Sequence, residues 1–425
     1  MTRSFFTTLV GSIAIVLGSA PSLAQNAYIA NAHDNTVSVI DTATNTLVGL
    51  PIPVGDFPFG VAVSPDGSKV YVANTGYATH NSTVSVIATA TNTVVATIPV
   101  GYLANGIAVT PDGSTVYVAT ANSSTVSVID TATNMVVGTI PVGHIPDGVA
   151  VTPDGSKVYV TNASGNTVSV IASATNTVTA TIQAGALPFG VAAVVTPDGS
   201  TIYVTNVTSS TISVIDTATN SVAGTIPLGY GDNPRGIAVR ADGSKVYVAI
   251  EVAGTTGPVP GIVSVIDTKT NTVVGSPIPV GSDPYGIAIT PDGSKVYVTN
   301  EADNTVSVID TGTNMVVAVL PVGGAPFGFG VFIQPRFAGT PGNRECRHKS
   351  ISALSRTFGG LNRAAIALGF PTVEGLLSAV NAFCGDRACD EEDRRACMFV
   401  GENSEHRAGW RREHSSFSSG GPLMR

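Results

Sequence analysis

The sequence predicts an all-β chain, a seven-bladed β-propeller over residues 25–335, and three observations carry that prediction. One unit of four apolar runs recurs along the chain. The links between runs have tight-turn chemistry. The first unit is also split, so that the last run of the domain completes the opening sheet.

The unit reads Gly-Val-Ala-Val (run a), Pro-Asp-Gly, Lys-Val-Tyr-Val-x-Asn (run b), Thr-Val-Ser-Val-Ile-Asp (run c) and Thr-x-Thr-Asn-x-Val-Val (leading into run d). Run c begins at Val37, Val84, Val126, Val168, Ile212, Val263 and Val306, a period of 42 to 51 residues. Fixed periods of this size mark repeat architectures. The runs are short and rich in Val, Ile, Thr and Tyr, which are strand features. In Pro-Asp-Gly, Pro presets φ, Asp bonds its own backbone and Gly accepts positive φ, so runs a and b form a hairpin. Asp-Thr-x-Thr-Asn turns c into d in five units, with Ala88 and Ala172 replacing the Asp in the other two. Tight turns make neighbours antiparallel and each unit a four-stranded meander.

The domain opens on run b (Tyr28-Ile29-Ala30-Asn31) and closes on run a (Val331-Phe332-Ile333). An open array would begin and end on capped whole repeats. A split unit instead joins the two ends of a ring, which leaves only short, protected edges.

At run b, Tyr71-Val72-Ala73-Asn74, Tyr159-Val160-Thr161-Asn162 and Tyr297-Val298-Thr299-Asn300 resemble the YVTN-repeat propeller family, which includes YncE-like and lactonase-like bacterial proteins. The resemblance covers about three quarters of the chain. It implies the fold firmly and leaves function broad, because members range from surface-layer proteins to lactonase-like and redox propellers.

The flanks are of other character. Arg3, the apolar stretch Phe5 to Leu17 and Ser22-Leu23-Ala24 form a signal peptide over 1–24, with Gln25 as the first mature residue. The stretch is too short to span a bilayer. Residues 336–344 read as a linker. Within 345–385, Ile351, Leu354, Phe358 and Leu361, then Val373, Leu376, Leu377, Val380 and Phe383, have helical spacing. So small a module needs a staple, and all four cysteines lie nearby. Cys346 with Cys384 is the expected disulfide, and Cys389 with Cys397 a second pair. Residues 386–425 carry 15 charges in 40 positions without periodicity, which predicts disorder. The expected location is periplasmic or secreted.

Charged residues are only 12% of the chain and apolar residues 43%, which excludes a disordered whole. Up to Pro335 there are 8 Lys/Arg against 19 Asp/Glu, a balance of −11 that argues against a general nucleic-acid binder. A YncE-like single-stranded DNA site would require Arg235, Arg240 and Lys245 to form a local patch.

Loop lengths locate the variable rim. From the Tyr of run b to run c is 9 residues in five units, but 13 from Tyr71 to Val84 and 16 from Tyr247 to Val263. The Gly-to-Gly d–a link is 5 residues everywhere except 7 from Gly229 to Gly236. Both kinds of loop lie at one end of the ring, so that end is the expected binding face. The residue before each run-a Gly should ring the channel mouth there: Phe59, Asn105, Asp147, Phe189, Arg235, Tyr285 and Phe327. Two uses compete for these aromatic residues: contact with a sugar, aromatic ligand or peptide end, and packing on loop prolines such as Pro58 and Pro284.

Other chemistry is sparse. His33, His80 and His144 have no ligand spacing, although a metal with Asp34, Asp147 or Glu301 is conceivable. The only Trp is Trp410, Cys-x-x-Cys-His is absent, and so is Gly-x-Ser-x-Gly, so no cofactor is expected. A metal-dependent lactonase would want a channel-facing Glu, whereas Glu251 and Glu301 read as members of outer b–c loops. The repeated Asp66, Asp112, Asp154, Asp198, Asp242 and Asp292 are turn residues. The Asn that ends run b reads as a backbone-bonding position. The reading is therefore an exported, monomeric, non-enzymatic propeller that binds a protein, an envelope glycan or a small ligand. A lactonase-like hydrolase is the alternative.

Overall fold

The computed structural model describes residues 25–196, 199–229, 231–252 and 259–335, plus five single helical positions at Ile351, Leu361, Val373, Leu377 and Val380. The signal segment, the linker, the tail and all four cysteines lie outside the described residues, as does the rest of 345–385.

Seven four-stranded antiparallel sheets form the domain. Blade 4 is typical: Pro146–Val151, Lys157–Asn162, Thr167–Ala172 and Thr177–Gln183 are hydrogen-bonded in that order as strands a to d. Blades 2, 3, 5, 6 and 7 repeat it over 58–99, 104–141, 188–227, 232–282 and 284–321. Blade 1 holds strands b and c (Asn26–Asn31, Thr36–Asp41) and a strand d broken into Thr46–Leu47 and Ile52–Pro53.

Ring closure is by the terminal strand, as predicted. The Tyr28 amide donates to the Phe332 carbonyl at 2.9 Å, Ala27 bridges Ile333, and the Phe327 amide donates to Ala30. Between these contacts the chain makes an unforeseen excursion. From Pro326, opposite Asn31, to Phe332, opposite Tyr28, it has two residues more than the equivalent stretch from Pro146 to Ala150. The extra length lets Phe329 leave blade 1 and pair with blade 2, where Val61 N donates to Phe329 O and Val63 N to Val331 O, both at 3.0 Å.

Strands b and c are buried on both faces because each blade is sandwiched between two others; strand d alternates, since its outer edge meets solvent. The core is therefore a set of layers between blades. Tyr71, Val84 and Val86 of blade 2 pack on Ile107, Val116 and Ile129 of blade 3, and Tyr297 and Val306 of blade 7 pack on Ile29 and Val37 of blade 1.

The run-b motif has a distinct use for each polar residue. Its Tyr reaches the next blade: the hydroxyls of Tyr28, Tyr117, Tyr159, Tyr203 and Tyr297 donate to Oδ1 of Asn92, Asn176, Asn220, Asn271 and Asn45, at 2.7 to 3.0 Å. Each acceptor is the c–d turn Asn, in the left-handed region that Asn tolerates better than most residues (φ 50–55°). Where run b carries Thr, its hydroxyl also reaches the next blade: Thr161, Thr205 and Thr299 donate to the carbonyls of Phe189, Arg235 and Phe327 at 2.6 to 2.8 Å. The terminal Asn differs from expectation. Nδ2 of Asn31, Asn74, Asn162, Asn206 and Asn300 donates mainly to the two hydroxyls on strand c, such as Thr167 and Ser169, rather than to backbone. The turn Asp behaves as read: Asp66 accepts from the Ser68 amide and the Ser64 hydroxyl.

Candidate functional site

The run-a glycines bring the mouth residues together. A Cβ on Gly106 would stand 2.1 Å from the Asp147 carbonyl oxygen, and one on Gly236 2.3 Å from that of Tyr285. Only glycine permits so close an approach of neighbouring inner strands, and the ring is consequently tight. The residue ahead of each glycine projects toward the axis.

Phe59, Phe189, Tyr285 and Phe327 converge there. Phe59 lies 4.9 Å from Phe327 and 5.6 Å from Tyr285, and Phe189 lies 5.4 Å from Tyr285, between ring centroids. Phe329, which the sequence reading missed, sits among them, 4.9 Å from Phe189 and 5.8 Å from Phe59. Its signal was available: Gly328 to Pro335 spans 7 residues where Gly60 to Pro65 spans 5. The rings therefore pack chiefly on one another, in edge and tilted geometries that favour aromatic pairs, and they floor the mouth.

The other mouth residues form two polar groups on this floor. The Arg235 guanidinium carbon stands 5.4 Å from the Tyr285 centroid and 5.8 Å from that of Phe189, a cation–π arrangement. Its Nε and Nη2 donate to one oxygen of Glu251 at 3.1 and 2.7 Å. Among the described residues no protein acceptor is bonded to its Nη1. Glu251 thus faces the mouth and not the periphery, a correction with a clear cause. In blade 6 both loops are longer, and strands a and b continue to Asp232–Val239 and Lys245–Val252, placing Glu251 opposite Asn233. Across the mouth, Asn105 Nδ2 donates to Asp147 Oδ1 at 2.5 Å. Burial pushes the Asp147 carboxyl up to about 6, although the Asn105 amide and the Arg235 charge pull it down.

Around this centre the rim divides into two arcs. In blades 2 to 5 the residue preceding strand a is Phe57, Leu103, Ile145 or Leu187, each apolar and held at φ 52–57°; Ile145 and Leu187 are exposed, while Phe57 and Leu103 are half-buried. The carbonyl of each accepts a backbone N–H just past strand b, as in Ala163 N to Ile145 O at 2.8 Å. A left-handed backbone costs a bulky residue roughly 1–2 kcal/mol. Ile145 is 48% exposed, and Tyr77, whose ring lies 5.8 Å from that of Phe57, is 69% exposed. Blades 6 and 7 are acidic instead. Burial and Asp283 raise the Glu301 carboxyl, against Arg235 and His33; burial and Glu251 raise Asp283, against Arg235.

Among the described residues no three His, Cys, Asp or Glu side chains stand close enough to hold a metal ion. His33 instead packs edge-on against Phe57, and His80 stacks on Tyr102. The proposed DNA patch is also not formed: Arg235 lies at the mouth, whereas Arg240 pairs with Asp242 at the a–b turn, beyond the other end of the strand. Among the described residues no helix is long and apolar enough to cross a membrane.

Residues 60–208 match the family model for the SMP-30/gluconolactonase/LRE-like region. No curated protein sequence matches the chain. Solved structures that resemble it include Kuenenia stuttgartiensis hydrazine synthase, at 25% identity and TM-score 0.57 over 63% of this chain and 87% of that one. A functionally unknown protein from Desulfotomaculum acetoxidans aligns at 20% identity and TM-score 0.59, over 71% of this chain and 99% of its own. The dihydro-heme d1 dehydrogenase NirN aligns at 15% identity and TM-score 0.54, over 74% and 76%. The chain is a seven-bladed β-propeller whose second to fifth blades carry a stretch similar to the lactonase-like family.

Proposed function

We propose that this protein is an exported, non-enzymatic binding propeller that grips a protein partner through the b–c/d–a loop face. The observation that carries the reading is the division of that face. Exposed Ile145 and Leu187 with half-buried Phe57 and Leu103 form an apolar arc, and Glu251, Asp283 and Glu301 form an acidic one. Strained, exposed apolar residues at one rim suit an interface better than a solvated surface. The chemistry favours a partner segment with both apolar and basic side chains, steered by the acidic arc. Arg235, fixed by Glu251 over the aromatic floor, supplies a donor at the centre. Tiled peptide arrays and envelope-glycan arrays, probed with the mature chain, test this. Binding to basic-apolar peptides that falls at least roughly ten-fold in both Ile145→Asp and Glu301→Lys supports it. Binding to glycans alone, or to neither, removes it.

The match over 60–208 favours a second reading, a lactonase-like hydrolase, with the buried Asp147 carboxyl as its proton-transfer group. Hydrolysis of γ- or δ-lactones followed by proton release, and abolished in Asp147→Asn, would establish that reading over the first.

A further inference from the structure

Loop lengths put the expected binding face at the b–c/d–a rim, yet the central channel has a cavity on the side of the Pro-Asp-Gly turns. Its volume is about 450 Å³. It extends from the inner glycines Gly106, Gly190 and Gly236 to the turn residues Pro65, Pro111 and Pro153, and Phe329 lines its inner end. Among the described lining residues Ser64 alone has a polar side chain, and that hydroxyl donates to Asp66 at 2.6 Å. The wall is open to solvent, since Val331 within it is 68% exposed.

We propose that this channel is a binding site for an uncharged, hydrocarbon-rich small molecule entering from the turn rim. Its size falls in the range of about 300–1,000 Å³ usual for small-molecule sites, with walls of the usual apolar kind. Water held there meets almost no polar side chain, so its release from the apolar side-chain surface favours binding. The chain supplies its own precedent for the occupant: the Phe329 ring already sits at the inner end against Phe59 and Phe189. Charge sets the class. A buried ion finds no charged side chain on these walls, and the turn carboxylates of Asp66, Asp112, Asp154 and Asp292 at this rim outnumber the Arg240 guanidinium, itself paired with Asp242, and so oppose an anionic head group. A fatty acid is thereby disfavoured against a neutral alcohol, ester or aromatic of similar size.

The test titrates the full mature chain with N-phenyl-1-naphthylamine, an uncharged dye that fluoresces in apolar surroundings. One saturable site per chain is expected, displaced by decanol in preference to decanoate. Ala150→Phe and Ala238→Phe, which add a ring at the channel wall, should each weaken binding by at least roughly ten-fold in the folded protein. Ile145→Asp on the opposite rim should leave dye binding intact, which separates this site from the proposed protein interface. Should the ring variants fail to fold, Val331→Asp at the exposed wall provides the same readout. No saturable dye signal, or binding undiminished in the channel variants, overturns the proposal. Absence of dye binding together with new protease cleavage within 345–385 in Val331→Asp would assign the channel to the chain's own C-terminal segment, and that too overturns it.

Discussion

The hydroxyl of Tyr297 in blade 7 donates to Oδ1 of Asn45 in blade 1 at 2.7 Å, joining residues 252 positions apart. The same latch links neighbouring blades elsewhere, so the ring closes with the chemistry that assembles it. Lys295 Nζ reinforces the junction through the Thr42 carbonyl at 2.7 Å and Asn45 Oδ1 at 3.1 Å.

Tyr297→Phe is expected to lower the free energy of unfolding by about 1 kcal/mol, the net worth of one buried hydrogen bond. Tyr247→Phe should be neutral or mildly stabilising, because that hydroxyl is buried without a partner among the described residues. Parallel urea titrations of the two variants against the parent check the contrast. Equal losses would mean that the latch contributes nothing beyond the packing of the ring.

The inner glycines should tolerate no side chain. Gly106→Ala drives a methyl group onto the Asp147 carbonyl and is expected to abolish soluble, folded protein. At Gly138, on the outer strand of blade 3, a Cβ meets nothing within 4 Å. Gly138→Ala should therefore be neutral or stabilise by roughly 0.4–1 kcal/mol through the unfolded state. Yields from matched expression and melting temperatures decide the matter.

Asp147 is expected to make stability depend on pH in an unusual direction for a carboxylate. Its folded value near 6 lies above the ordinary 3.8, so the folded state holds this proton more tightly. The contribution is fully present below the ordinary value and is lost as pH rises through about 6. The shift corresponds to about 3 kcal/mol. Asp66, Asp112 and Asp154 are held below the ordinary value: their turn hydrogen bonds, chiefly from the Ser64, Thr110 and Thr152 side chains, outweigh burial. They act oppositely, so the quantity to measure is the difference from Asp147→Asn. That variant should gain on the parent as pH rises from 4 to 7 in chemical denaturation; a constant difference would refute the assignment.

Glu251→Gln should loosen Arg235 from the mouth. In the peptide-array assay its binding is expected to fall by roughly ten-fold or less, since the guanidinium remains but its fixing charge pair is weakened. Arg240→Gln, at the other rim, should be without effect. Equal losses in both would point to general charge and not to a built site.

The repeat itself was legible: the spacing of runs, Pro-Asp-Gly turns and the split first unit led to seven blades and their closure, because turn chemistry and strand pattern are local. So were the seven mouth positions, which follow from counting one residue back from each run-a glycine. What those residues do there was not legible. Whether Phe59 meets a proline or Tyr285 depends on how nearly the inner strands approach across the axis, a distance between blades remote in sequence. Glu251 looked peripheral because its loop is long, yet the added residues extend two paired strands and turn its carboxylate inward. Phe329 joined the floor because two extra residues in the closing strand give it reach to blade 2. Local sequence chose the strands and turns; packing about a common axis, where every blade limits its neighbours, decided which side chains meet.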